Sequence, residues 1–358
     1  MDSSTNESST KRFWRIGAWK LPALLLGMAV VGGASCDSCA STGGGSTTSS
    51  GGGSSSGSHW LVGTSALMLN VAHDDATNLG HYDVGLDDDL NGIACRGTRE
   101  AWVVGSHGLL LATADAGGSW KVLEPGVESN LRAVALAAPN FVLIGGDDGV
   151  ARLSGDGGGH WRTLTTTLTT TTAPETFTSV ALRRTDGAVG LLATESGLVE
   201  RYDAATGTVS EVGRTNGALR SVVLSRDGRM AVAVGDGGAM LVSGDGGLTF
   251  SMRATGTTRD LRDVWLEGEG GTHFVAVGAG GAVLDGDLLS GAITERSVGP
   301  EASLRALHMM ADGQGIIVGD RGAVFMTEDF GADWTRLPTG ETRDILGVDA
   351  VGFGSEHY

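Results

Sequence analysis

A motif that recurs about every 42 residues constrains the fold of this chain more than any other feature. Each copy is a short apolar run, and seven copies follow one another: WLVG (60–63), WVVG (102–105), FVLIG (141–145), LLAT (191–194), VAVG (232–235), VAVG (275–278) and IIVG (316–319). The last residues of successive copies are 42, 40, 49, 41, 43 and 41 positions apart, and the longest interval contains a threonine-rich insertion at 165–172. Such regular spacing indicates a protein built from seven copies of one structural unit.

Each unit contains the pattern of four short β-strands. An apolar strand such as LRAVAL (131–136) precedes the recurring run, a glycine-containing turn follows it, and two more strands such as AMLVS (239–243) and WRTL (161–164) complete the unit. Glycine accounts for 60 of the 358 residues, and this excess fits hairpin turns, where a positive φ favours glycine. The pattern predicts an all-β fold, a seven-bladed β-propeller of four-stranded antiparallel blades.

The second turn of four units carries one specific motif. It reads TADAGGSW (113–120), SGDGGGHW (154–161), SGDGGLTF (243–250) and TEDFGADW (327–334). This pattern resembles the Asp-box (BNR) hairpin, in which a carboxylate accepts hydrogen bonds from backbone N–H groups and an aromatic ring packs beneath the turn. The residues to which we assign this structural role are Asp115, Trp120, Asp156, Trp161, Asp245, Phe250, Asp329 and Trp334. An Asp-box stabilises a hairpin, so we assign no catalytic residue to it.

The two ends of the repeat predict how the ring closes. The first unit begins at His59 with its second strand, whereas the segment DILGVDAV (344–351) is a first strand without a unit. We therefore expect the C-terminal strand to pair with the first N-terminal strand at 60–63. This closure removes exposed strand edges, which promote aggregation. Residues 59–358 are thus predicted to form one β-propeller domain, which we expect to be a monomer.

The residues before the propeller resemble an export signal. Residues 11–20 are basic, residues 21–31 are apolar, and small residues then lead to Cys36. We interpret 1–35 as an export signal of the lipoprotein type, Cys36 as the lipidation site and 36–58 as a flexible Ser/Thr/Gly-rich linker. This places the protein at the cell envelope, attached to a membrane by the lipid alone and facing the periplasm or the outside. Cleavage near Ala40 and an uncleaved anchor are the alternatives, since Gly33 stands where a lipoprotein signal usually has Leu or Val.

Charge and cysteine content argue against several functions. The formal net charge of −17 repels phosphate backbones, so we expect no nucleic-acid partner. Cys36 and Cys39 lack a second ligand pair at zinc-site spacing, and Cys95 fits a small buried residue. We expect neither a metal nor a cofactor. One acidic segment lacks the ligand spacing of a calcium loop and reads as a solvated loop; it contains His73, Asp74, Asp75, His81, Asp83 and residues 87–89.

Four arginines mark the candidate binding site. Each follows a leucine at the start of a first strand: Arg132, Arg220, Arg262 and Arg305. Strand order places them around one mouth of the central channel, on the face opposite the Asp-boxes, while Asn91, Thr178 and Leu346 interrupt the ring. Guanidinium groups there are suited to hold a carboxylate-bearing peptide or another anion by bidentate hydrogen bonds. The alternative is that the arginines only pair with Asp147, Asp148, Asp236 and Asp320 on the same face.

The repeat as a whole resembles the family of photosystem II assembly and stability factors. The resemblance rests on the unit VxVG–xxG–xxxxSxDGGxxW and covers the chain from Trp60 to its end. Members of that family are seven-bladed lumenal propellers with an arginine patch near the axis, so the resemblance implies that the four arginines are its counterpart. It further implies a non-enzymatic scaffold that binds a protein client, here in an exported bacterial member unconnected with photosynthesis.

Two other functions fit part of the pattern. Asp-boxes also occur in sialidases and other glycosidases, which need an arginine clamp, a Tyr–Glu nucleophile pair and an aspartic acid. Only Tyr82, Tyr202 and Tyr358 are available, and Glu200 lies near Tyr202. The other alternative is a glycan-binding surface propeller, although most Trp and Phe residues lie in strands or Asp-boxes, where they are not free to stack on sugars.

Overall fold

The computed structural model describes residues 58–72, 79–165, 174–267, 270–300 and 302–351. All of them belong to one compact unit. The proposed export signal, Cys36, the linker up to residue 57, most of the threonine-rich insertion and His73, Asp74 and Asp75 lie outside these residues. Within the described part of the chain, no helix is long and apolar enough to cross a membrane.

The described residues form seven four-stranded antiparallel sheets, which we number as blades 1 to 7. Blade 1 contains β1 (Ser58–Gly63), β2 (Leu67–Ala72) and β3 (Leu79–His81) together with the last strand of the chain, β28 (Ile345–Val351). Blade 2 contains β4 (Leu90–Arg96), β5 (Glu100–Gly105), β6 (Leu110–Thr113) and β7 (Lys121–Leu123). Blade 3 contains β8 (Leu131–Ala137), β9 (Phe141–Gly146), β10 (Ala151–Ser154) and β11 (Arg162–Thr163).

The remaining four blades follow in the same order along the chain. Blade 4 contains β12 (Phe177–Leu182), β13 (Val189–Thr194), β14 (Leu198–Asp203) and β15 (Thr208–Arg214), and blade 5 contains β16 (Leu219–Leu224), β17 (Ala231–Gly235), β18 (Met240–Ser243) and β19 (Ser251–Met252). Blade 6 contains β20 (Leu261–Leu266), β21 (His273–Gly278), β22 (Ala282–Asp287) and β23 (Ile293–Ser297). Blade 7 contains β24 (Leu304–Met309), β25 (Gly315–Gly319), β26 (Ala323–Thr327) and β27 (Thr335–Arg336). This architecture confirms the seven-bladed β-propeller predicted from the repeat.

The C-terminal strand closes the ring as predicted. The strand order in blade 1 is β28-β1-β2-β3, so β28 takes the place that the first strand has in every other blade. Its register puts Asp349 opposite Trp60 and Val348 opposite Leu61. The first and last strands of the described residues are therefore neighbours, and opening this pair would leave two unpaired edges.

The apolar core lies mainly between neighbouring blades. In one cluster, Val275 and Val277 of blade 6 pack with Leu304 and Ile317 of blade 7. All these side chains are buried. Because each blade covers the apolar face of the next, a single blade cannot bury its own core, and the closed ring is the stable unit.

The Asp-box residues hold the turns between the third and fourth strands of four blades. In blade 5, the Ser243 hydroxyl donates to Asp245 Oδ1 over 2.7 Å, and Asp245 Oδ1 accepts a hydrogen bond from Thr249 N at 3.0 Å. Hydrogen bonds from Thr249 lower the pKa of Asp245 to about 2. Gly247 has a φ of +77°, and a Cβ there would lie 2.8 Å from Leu191 of blade 4. Glycine is thus needed for both the turn and the close approach.

The turns between the second and third strands lie at the opposite face and are bonded to the start of the first strand. The backbone N–H groups of Asp147, Asp236, Ala279 and Asp320 donate to Asn130 O, Ala218 O, Asp260 O and Ser303 O, each at 2.9 to 3.0 Å. These bonds place the first residue of each of these turns beside the mouth of the channel, where the second residue of the first strand also lies.

Candidate functional site

A cavity of about 410 Å³ opens at one mouth of the channel. The second residue of the first strand of every blade lines it: Asn91, Arg132, Thr178, Arg220, Arg262, Arg305 and Leu346. The four arginines singled out from the sequence are thus brought together, with the three interrupting residues between them. Glu195, Asp236 and Asp260 also line the cavity.

A β-bulge turns each of these seven residues toward the axis. The pairing register between the first and second strands shifts at this position in all seven blades, so that residue 262, for example, is skipped between Leu261 and Asp263. A bulge leaves one residue out of the ladder and re-aims its side chain. No sequence pattern predicts these bulges in all seven blades, although the repeated Leu-Arg pair marks four of them.

Two of the four arginines are neutralised by an aspartate from the turn of their own blade. Arg132 donates from Nε and Nη2 to the two carboxylate oxygens of Asp147 over 2.8 and 3.0 Å. Arg220 makes the same bidentate pair with Asp236 over 2.8 and 2.7 Å. The hydrogen bond from Arg220 lowers the pKa of Asp236, and the hydrogen bond from Asp236 raises the pKa of Arg220. For these two arginines the pairing considered from the sequence is present.

Arg305 and Arg262 have fewer of their N–H donors engaged in hydrogen bonds. Arg305 donates to Asp320 Oδ1 from Nε alone, over 2.5 Å. Arg262 makes no hydrogen bond or ion pair with any residue that the structure describes, because its blade has Ala279 where the other three have an aspartate. Burial lowers the pKa of Arg262, and the neighbouring charge of Arg305 lowers it further. The missing aspartate is visible in the sequence, because the turn of blade 6 reads AGG (279–281) where the turns of blades 3, 5 and 7 read DDG, DGG and DRG.

The arginine cluster is therefore asymmetric. A guanidinium stays ionised even in an unfavourable environment, so Arg262 is a partly buried cation that lacks a paired counter-ion among the described residues. Its five N–H donors and the terminal nitrogens of Arg305 lie at the boundary of blades 6 and 7. This arrangement suits a carboxylate, which accepts paired N–H donors in one plane. Asp148 is the fourth aspartate that the sequence offered as a partner for the arginines. It accepts a hydrogen bond from Ser129 Oγ over 2.8 Å.

Deeper in the channel, two carboxylates tie neighbouring blades together. Asp263 of blade 6 accepts hydrogen bonds from Ser221 Oγ of blade 5 at 2.8 Å and from Leu307 N of blade 7 at 2.9 Å. Burial raises the pKa of Asp263 to about 6. Asp349 of the closing strand accepts from Cys95 N of blade 2 at 2.7 Å and lies 2.8 Å from His308 Nδ1 of blade 7. Each of the two sets of contacts spans three blades, and no sequence pattern predicts them.

The residues weighed for other chemistry lie elsewhere. Glu200 and Tyr202, the only candidate for a nucleophile pair, are buried in β14 and do not line the cavity. Asp83 and Asp89 accept hydrogen bonds from backbone N–H groups of exposed turns. Cys95 is buried in β4, and burial raises the pKa of its thiol. No cluster of three or more His, Cys, Asp or Glu side chains suited to a metal ion occurs within the described ranges.

Comparison with known proteins gives a family and a set of similar folds. The family model "Photosynthesis system II assembly factor YCF48" matches residues 54–344. A solved structure described as "YCF48 bound to D1 peptide" aligns with a TM-score of 0.54 at 18% identity, covering 68% of this chain and 79% of the other. "YCF48 from Cyanidioschyzon merolae" aligns with a TM-score of 0.58 at 15% identity, covering 77% and 98%.

A third propeller aligns equally well. The WD40 β-propeller domain of Doa1 has a TM-score of 0.57 at 14% identity, covering 76% of this chain and 91% of that domain. No match is found among curated protein sequences. At such low identities the structural similarities show the fold alone, so the family rests on the match to residues 54–344.

Proposed function

The chain belongs to the family of the photosynthesis system II assembly factor YCF48, and from this membership we propose that it is a non-enzymatic scaffold that binds a protein client. The client segment carries a carboxylate, and the site that holds it is the cavity lined by the four arginines. A YCF48 structure with a D1 peptide supports a peptide as the ligand.

The observation that carries the proposal is the unpaired state of Arg262. Burying a cation costs free energy unless a counter-ion pairs with it. A partly buried arginine without a counter-ion therefore carries this desolvation cost in the free protein. Arg132 and Arg220 have their counter-ions supplied by the fold, whereas Arg262 and part of Arg305 do not. A carboxylate from a client supplies the missing charge, so the binding energy is concentrated at the boundary of blades 6 and 7.

The test is peptide binding measured by fluorescence anisotropy. The probes are a panel of labelled peptides that includes a D1 peptide, each made with a free C-terminal carboxylate and with an amidated C-terminus. We expect a subset to bind, amidation or Glu→Gln replacement to identify which carboxylate is held, and Arg262→Ala to weaken binding at least about tenfold, or about 1.4 kcal/mol.

Arg259→Ala is the matched control, because it removes the same charge from the same face. Arg259 donates to Gly280 O and lies 3.4 Å from Glu295, and it does not line the cavity. Equal losses for Arg262→Ala and Arg259→Ala would mean that only the overall charge matters. Undiminished binding to a folded Arg262→Ala variant would overturn the proposal.

We also propose that the scaffold works at the cell envelope as a lipoprotein. The basic and apolar segments before Cys36 and the Ser/Thr/Gly-rich stretch after it support this location. We expect the native protein to incorporate a labelled fatty acid and to fractionate with membranes. A Cys36→Ser variant that remains labelled, or a native protein that stays in the soluble fraction without the label, would contradict it.

A further inference from the structure

We infer that the client chain leaves the arginine cavity along a groove between blades 6 and 7, which binds an acidic peptide segment with an apolar side chain. The groove is a cavity of about 630 Å³, within the size range of ligand pockets. Its lining includes Val298 and Ala302 from the connection between the two blades, together with Arg321, Phe325, Trp334 and Arg336 of blade 7. The inference rests on the proposed function.

The groove begins where the arginine cavity offers its free donors. Asp320 lines the groove, and its carboxylate accepts the hydrogen bond from Nε of Arg305, which lines the arginine cavity. One ion pair thus separates the two cavities. Arg262 and Arg305, the two arginines with donors to spare, belong to blades 6 and 7, the same two blades that form the groove. A peptide whose carboxylate binds Arg262 therefore meets this groove first.

The floor of the groove is apolar and its aromatic wall is fixed. Phe325 is 5% exposed, and Val298, Ala302 and Trp334 pack against the same cluster. Trp334 Nε1 donates to Gly331 O over 3.1 Å, which holds the indole of the Asp-box in place. A fixed aromatic surface that remains partly exposed binds an apolar side chain at little entropic cost.

The rim of the groove is cationic in a chain whose net charge is −17. Arg336 is exposed and makes no hydrogen bond or ion pair within the residues that the structure describes. It also lines a second cavity of about 420 Å³, formed with Gly322 and with residues 337–342 of the connection to the closing strand β28. Positive charge in a mainly acidic surface selects an acidic segment by electrostatic complementarity.

Among the four Asp-box blades, blade 7 alone has an arginine at this position of the fourth strand. Two residues after the aromatic residue of the Asp-box, the other Asp-box blades have Val122, Thr163 and Met252 where blade 7 has Arg336. The strand partner of Arg336 is Phe325, whereas the partner of Met252 in blade 5 is Leu241. Blade 7 thus differs from blade 5 at both of these facing positions, whereas blade 3 has its arginine on the third strand, as Arg152 opposite Thr163.

The experiment compares two peptides that share one carboxylate end. A peptide from the binding panel is shortened to the four residues nearest the bound carboxylate, which reach at most about 14 Å, and is measured beside its twelve-residue parent. The full-length protein is tested as the native form and as Arg336→Met and Phe325→Leu, the residues that blade 5 carries. Arg229→Met is the control, because Arg229 is an exposed arginine of the β16–β17 turn, outside the groove.

We expect Arg336→Met to weaken the twelve-residue peptide at least about fivefold and to leave the four-residue peptide unchanged, with no effect of Arg229→Met on either. The long peptide should also change the fluorescence of the native protein but not that of Trp334→Phe. If Arg336→Met weakens both peptides equally, or does not weaken the long one, the peptide does not bind in the groove. The proposal that the arginine cavity binds the carboxylate is unaffected by this result. A long peptide that responds to Arg336→Met but not to Arg262→Ala would support the groove and overturn the proposed function. Binding of neither peptide would overturn both.

Discussion

Glu200 provides a quantitative test of the packing within blade 4. Its side chain is fully buried, and neither carboxylate oxygen has a hydrogen-bond partner within the described part of the chain. Burial raises its pKa from 4.5 to about 7, and the charges of Glu175 and Glu211 raise it further. The folded protein therefore binds a proton at Glu200 that the unfolded chain has already released between about pH 4.5 and pH 7.

The sign and size of the effect on stability follow from this difference. Because the folded pKa lies above the unfolded one, the free energy of unfolding falls as the pH rises through that window. At 1.36 kcal/mol per pH unit, ionised Glu200 costs about 3 kcal/mol above pH 8 and about 1 kcal/mol at pH 5.5. Glu200→Gln keeps the shape of the neutral acid and removes this cost.

We expect Glu200→Gln to be more stable than the native protein by about 3 kcal/mol at pH 8.5 and by about 1 kcal/mol at pH 5.5, measured by urea denaturation. Glu341→Gln is the control: Glu341 accepts hydrogen bonds from Nε and Nη2 of Arg343, which lower its pKa, so this variant should gain no stability at either pH. A Glu200→Gln variant that is less stable at pH 8.5, or whose gain does not change with pH, would show that ionised Glu200 does not destabilise the folded protein.

Three further variants test the ring itself, each by urea denaturation. Asp263→Asn loses an acceptor for Ser221 Oγ or Leu307 N and should cost about 1–3 kcal/mol; an unchanged stability would show that the bridge between blades 5 and 7 contributes nothing. Ile345→Ala, on the closing strand and fully buried, should cost about 2–5 kcal/mol, whereas Val122→Ala, at a 64% exposed position, should stay within about 0.5 kcal/mol; equal effects would contradict closure through β28. Gly238→Ala places a Cβ 2.1 Å from Thr257 O at a φ of +75° and should cost more than about 2 kcal/mol; a tolerated alanine would mean that the turn relaxes.

The blade count and the closure could be predicted from the sequence because both depend on periodicity. The spacing of the apolar runs sets the number of blades, and the unmatched strand at 344–351 indicates its partner at 60–63. The gathering of the four arginines at one mouth follows from strand order alone, since residues at the same position of equivalent strands meet at the axis of a ring.

The pairing state of those arginines depends on finer features. Whether Arg262 has a counter-ion is decided by a single residue of a turn, Ala279, and by the bulge that aims the guanidinium at the axis. The bridges made by Asp263 and Asp349 join residues 41 to 254 positions apart, and no local pattern marks them. The groove combines two side chains on paired strands with a connection from the preceding blade, so it too emerges only from the assembled ring.

In the proposed function, the unpaired Arg262, and not the arginine ring as a whole, holds the carboxylate of the client. The most direct measurement compares peptide binding and stability for Arg262→Ala and Arg220→Ala. We predict that Arg262→Ala loses at least about tenfold in affinity with no loss of stability, because its removal breaks no pair. Arg220→Ala, which leaves Asp236 unpaired, should lose stability and a smaller part of the affinity. Equal losses of affinity in the two variants, or a larger loss for Arg220→Ala, would contradict the account.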